Sequence, residues 1–166
     1  MERAGVMLYA FNDRIEKIGG WLVAVFMAGM FISILMAITS RFIIKIPIPW
    51  TEELSRYLMV WTAFIAGSLG LRKGSHVGIR FLVQKVPRPV AKWMGLITNI
   101  ALLIFFLFLI IEGARMAALV AGQRSPVLNI SMAWVYASLP TGAVLFAAFV
   151  LQSLVGSVRD LPDKTG

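Results

Sequence analysis

Pro49-Trp50-Thr51-Glu52-Glu53-Leu54-Ser55-Arg56 opens an uncharged run, residues 57–71, that closes on Arg72-Lys73-Gly74-Ser75-His76. Proline suits the first helical turn, whose amides have no partners within the helix. Carboxylates are favoured in that turn by the helix dipole. The stretch therefore reads as a membrane helix over about residues 52–71, with two carboxylates and an arginine at one mouth and a basic cluster at the other. Arg56 follows Glu52 by four residues and Glu53 by three, which puts the three charges on one side of the helix. Ala63 with Gly67, and Ala66 with Gly70, are small pairs four apart, a spacing that permits close helix approach in a membrane.

Three more spans flank this one. Residues 18–40 carry no charge and, at about 1.5 Å per residue, reach about 34 Å, enough to cross a hydrocarbon core of about 30 Å. That is too long for the apolar core of a signal peptide, so the run is read as a retained span. A third span covers about residues 93–115, with a helical pattern that continues towards Gly122. Residues 125–158 are again uncharged. Pro126 and Asn129 read as loop, Ser131 as an N-cap, and residues 132–155 as the fourth span, kinked at Pro140. Residues 1–17 place apolar side chains at helical spacing, which fits an amphipathic surface helix and equally a frayed lead into the first span. Residues 78–87 carry Ile79, Leu82, Val83 and Val86 among bases and predict a short interfacial helix. The expected fold is all-α and integral to the membrane. It comprises four transmembrane helices plus short amphipathic interfacial helices, in a single domain over residues 1–166.

Composition agrees and excludes much. The chain is 59% hydrophobic and 14% charged, whereas about a quarter of the residues in a soluble domain are charged. It has no cysteine, which removes disulfides and thiolate metal sites, and one histidine, which removes a multi-histidine site. The net charge of +8 is read as topological rather than as a nucleic-acid footprint. Eleven of the 16 Lys and Arg fall in the N-terminus, the 72–92 connector and the C-terminus, which the positive-inside rule places in the cytoplasm. Trp21 and Trp93, with Lys73, Arg80, Lys85, Arg88 and Lys92, then meet anionic headgroups on the inner side. Trp50, Tyr57, Trp134 and Tyr136 form an outer aromatic belt.

No catalytic, substrate-binding or metal-binding residue is expected. Adjacent carboxylates on one helix point about 100° apart, a poor acid–base pair. Glu52, Glu53 and Arg56 therefore read as structural or partner-contacting. His76 reads as a cap or headgroup contact, Asn99 as an interhelical hydrogen bonder, and Glu112 with Arg115 as an interfacial pair. Repeats and helices broken at mid-membrane, the usual marks of a transport pathway, are missing.

Trp50, Glu52, Glu53 and Arg56 at the start of the second of four spans, then Trp61, Ala66, Gly67, Arg72 and His76, resemble the small membrane subunit (DctQ-like, small permease) of tripartite ATP-independent periplasmic (TRAP) transporters. The resemblance spans nearly the whole chain, with its specific part at 50–76. It implies a non-catalytic, separate subunit in a bacterial inner membrane. This subunit would scaffold a large elevator-type membrane subunit that holds the sodium and substrate sites, and would help dock a periplasmic binding protein carrying an organic acid. Trp50, Glu52, Glu53, Arg56, Trp61, Arg72 and His76 are the implied partner or structural residues. No cofactor is expected in this chain. The small subunit of the tripartite tricarboxylate transporters, a self-sufficient small transporter and a small membrane enzyme are the alternative readings.

Overall fold

The computed structural model describes residues 2–74 and 88–159, with side chains described for 13–71, 90 and 93–154. His76, Arg80, Lys85 and the expected helix 78–87 lie outside the described residues, as do the side chains of Arg72, Lys73, Arg88 and Lys92.

Helix α1 runs unbroken over Glu2–Thr39, so the amphipathic stretch and the first span share one helix. It ends in a π-helical turn, Ser40–Ile44, closed by Lys45 in the left-handed region (φ 60°). Both the Lys45 and the Ile46 amides donate to the Ser40 carbonyl there. Pro47 then bars further helix, and α2 starts at Pro49 and runs to Gly74. The Ile48 carbonyl accepts from both the amide and, at 2.7 Å, the hydroxyl of buried Thr51. Helix α3 spans Arg88–Leu119. A short α4, Ala133–Tyr136, precedes α5, Ser138–Arg159. Among the described residues, four helical stretches are long and apolar enough to cross a membrane: Asp13–Ile44, Pro49–Leu71, Trp93–Leu119 and Ala133–Leu154. The first of these stretches has 32 residues, about 48 Å, and must tilt or protrude.

The expected kink at Pro140 takes the form of a break between α4 and α5. Proline has no N–H for the Tyr136 carbonyl, and the chain turns at Ala137 instead. The Ser138 hydroxyl donates to the Val135 carbonyl at 2.6 Å, next to the break. Ser131 lies one residue before the N-cap, Met132, and its hydroxyl accepts the Ala133 amide at 3.3 Å.

The helices stand in a row rather than a closed bundle. Among the described residues the principal contacts run α1 on α2, α2 on α5 and α5 on α3. The core follows that order: Phe106 of α3 packs on Ala143 and Val150 of α5, and its ring stacks on Phe146 at 4.5 Å. Two glycines set the helix separations. A Cβ at Gly142 of α5 would stand 2.7 Å from Phe64 Cβ of α2. One at Gly113 of α3 would stand 3.0 Å from Pro140 Cδ. A side chain at Gly142 would force the two helices to shift, and one at Gly113 would need its neighbours to give by a few tenths of an ångström.

Candidate functional site: the corner where α2 begins

Adjacent positions on a helix point about 100° apart, and here the two carboxylates part company. Glu52 turns out of the protein and pairs with Arg41 on the π-turn. Both side chains are exposed, so the pair is the weak surface kind. Glu53 turns inward and is 4% exposed. Its Oε1 accepts the Tyr57 hydroxyl at 2.5 Å, and its Oε2 accepts the amides of Val127 at 2.9 Å and Leu128 at 3.0 Å. A carboxylate can accept all three because it offers about four lone-pair sites and no donor. Charge-assisted bonds of this kind are roughly twice as strong as neutral ones.

The loop that reaches Glu53 is itself closed. Residues 123–132 fold as a hairpin, with an isolated antiparallel bridge between Arg124 and Ser131. The Ser125 amide donates to the Ile130 carbonyl at 2.8 Å, and the Met132 amide to the Gln123 carbonyl at 2.9 Å. The Ile130 amide donates to Ser125 Oγ at 3.2 Å. Asn129 takes a left-handed conformation (φ 53°), which asparagine tolerates better than most residues. One turn further along α2, Trp61 donates its indole N–H to the Trp134 carbonyl at 3.1 Å, while its ring meets Phe26 of α1 edge-on.

Arg56 pairs with neither carboxylate, although the spacing puts it beside both. Its Nε makes one long bond, 3.5 Å, to the Glu52 carbonyl, because Arg41 and the hairpin have taken the carboxylates. It faces outward on a stripe of exposed positions: Glu52, Arg56, Met59, Ala63, Gly67 and Gly70. A cleft of about 250 Å³ lies between the two faces, lined by Pro49, Glu52, Glu53, Arg56, Tyr57, Pro126 and Val127.

Other expected positions lie elsewhere. Trp50 is half-buried at the same corner. Trp21 (74%) and Trp93 (67%) are strongly exposed. Tyr57 directs its hydroxyl to Glu53. Arg115 does pair with Glu112, at 2.7 Å. Asn99 is buried on α3. Sequence reasoning missed the amides of Val127 and Leu128 and the phenol of Tyr57. The available signal was Glu53, Tyr57 and Trp61 at successive four-residue steps, one polar-tipped face of α2.

Residues 30–160 match the family model described as the DctQ component of tripartite ATP-independent periplasmic transporters. A sialic acid TRAP transporter small permease protein, SiaQ, of Vibrio cholerae is 28% identical over 92% of this chain and 87% of its own length. A C4-dicarboxylate TRAP transporter small permease protein, DctQ, of Rhodobacter capsulatus is 31% identical over 66% of this chain and 49% of its own. The sialic acid TRAP transporter permease protein SiaT of Haemophilus influenzae is 30% identical over 84% of this chain, yet this chain spans only 23% of that relative.

Proposed function

The chain belongs to the DctQ family, the small permease component of TRAP transporters, and we propose that it serves such a transporter as a non-catalytic scaffold for the large membrane subunit. The observation that carries this reading is the exposed stripe of α2. Of Glu52, Arg56, Met59, Ala63, Gly67 and Gly70, only Met59 is a large hydrophobic residue. The exposed surface of α1 carries Trp21, Leu22, Val25, Phe31 and Ile32, and that of α3 carries Ile97, Ile104, Phe105 and Phe108. Bulky apolar side chains suit lipid tails, whereas small residues let another helix approach. The outer helices thus have the chemistry of lipid contact, and the bare stripe has that of protein contact. The relative in which the matching part is 23% of a longer permease chain supports a large membrane neighbour.

In this reading the substrate is an organic acid, in line with relatives named for sialic acid and C4-dicarboxylates. Sodium coupling belongs to the large subunit. The chain sits in a bacterial inner membrane with both termini cytoplasmic, as its basic residues favour, and the α2 corner faces the periplasm.

Uptake by proteoliposomes tests the proposal, using labelled sialic acid and succinate under a sodium gradient. Uptake is expected only when the chain is joined by its large subunit and a loaded binding protein. Uptake by the chain alone would overturn the scaffold reading.

A further inference from the structure

We propose that the N-terminal end of the first span holds one zwitterionic aminophospholipid, with the phosphate on Lys17, the primary ammonium on Glu16 and Asp13, and an acyl chain over Gly20 and Ala24. A cleft of about 600 Å³ lies there, lined by Asp13, Glu16, Lys17, Gly20, Trp21 and Ala24 of α1 and by Leu69 of α2. The α1 members recur at steps of three and one, which keeps them on a single helix face. Gly20 and Ala24 are both exposed, and a Cβ at Gly20 would meet nothing within 4 Å. Beside them Trp21, Leu22 and Val25 are large and exposed. The cleft is thus a notch in an otherwise bulky apolar surface. Helix α1 stands at one end of the row, so no described helix of this chain covers that surface, and its bulk suits lipid tails better than a partner helix.

Depth points to a whole lipid. Trp21 and Arg41 are 20 residues apart, about 30 Å of helix, which matches a hydrocarbon core. With the Trp21 indole at the edge of that core, Gly20 and Ala24 lie against acyl chains. Lys17 then lies about 6 Å further out, Glu16 about 8 Å and Asp13 about 12 Å. The headgroup layer is about 5–8 Å deep on each side, so the cleft runs from hydrocarbon through that layer, as one lipid does. The order of charge points to the headgroup. Moving outward, the cleft presents a cation and then two carboxylates. A zwitterionic headgroup presents a phosphate and then an ammonium, its complement at both steps. An anionic headgroup without an amine satisfies Lys17 and leaves the carboxylates with nothing, and a quaternary ammonium has no N–H to give them. Asp13 and Glu16 already interact within the chain, and a carboxylate's four or so lone-pair sites leave room for an ammonium as well.

Native mass spectrometry of the full chain tests the proposal. The chain is purified in detergent and offered equal amounts of phosphatidylethanolamine, phosphatidylglycerol and phosphatidylcholine with the same acyl chains. The first lipid retained is expected to be phosphatidylethanolamine, several-fold over either competitor. Glu16→Lys with Lys17→Glu reverses the order of charge at constant net charge and should bring that ratio to about one. Gly20→Leu fills the notch and should weaken retention of the first lipid several-fold without lowering the Tm. Equal retention of the three lipids by the wild type, or a preference for phosphatidylglycerol, overturns the proposal. So does a preference that survives the charge reversal. Should the reversed variant fail to fold, Asp13→Asn with Glu16→Gln decides the same point, since it must abolish the preference over phosphatidylglycerol. A preference that disappears once the large subunit is bound gives the cleft to that subunit and equally overturns the proposal. Retention by the chain alone is read without any transport, so failure of the scaffold reading leaves this measurement intact.

Discussion

Glu52 and Glu53 share a side chain and a peptide bond, yet one is a surface charge and the other a buried anchor. Their difference is that of the two faces of α2. On the closed face Glu53, Tyr57 and Trp61 bind chain about 75 residues away: Val127, Leu128, Met132 and Trp134. On the open face Glu52 meets Arg41, Arg56 reaches only the Glu52 carbonyl, and a Cβ at Gly70 would meet nothing within 4 Å. One helix thus does two jobs, and the residues of each job alternate along it. Stability should live on the closed face and assembly on the open one.

The contrast breaks if the ranking of the following effects is reversed. The largest loss of thermal stability in detergent is expected for Glu53→Ala, which strands two amides and a phenol at once. Gly142→Leu comes next, at about 1–3 kcal/mol by chemical denaturation, because α2 and α5 must separate at Phe64. Trp61→Phe should cost about 1 kcal/mol, the value of one net hydrogen bond. Glu52→Gln should cost between about 0 and 1 kcal/mol, less still at high salt, since its partner Arg41 is exposed. Gly70→Leu sharpens the comparison most: a Cβ there meets nothing within 4 Å. The isolated subunit should keep its Tm, while co-purification with the large subunit should fall.

The spans, the helix start at Pro49, the loop around Asn129 and the pair Glu112–Arg115 were all legible, because each depends on local chemistry: hydropathy, a missing amide, a helical spacing. The sorting of Glu52 from Glu53 was not. Periodicity says that they point apart, but which one is buried depends on a loop more than 70 residues later. Arg56 shows the same limit. Its spacing to both carboxylates is right, yet more distant partners outcompete it. The row of helices was equally hidden, since an apolar span reads alike whether it faces lipid or protein; the glycines at 113 and 142 mark the tightest of the close approaches.

The order of the row also constrains how the chain is made. Spans enter a membrane in the sequence α1, α2, α3, α5, but in the finished fold α5 stands between α2 and α3. The α1–α2 hairpin can pair as soon as it is synthesised. Helix α3 then has no principal partner among its predecessors, and its core residue Phe106 waits for Ala143, Phe146 and Val150. The last span is thus a keystone that slides laterally between two waiting parts. Nascent chains halted before α5 should hold an early hairpin beside a solitary helix, exposed to whatever guards unassembled segments in the bilayer.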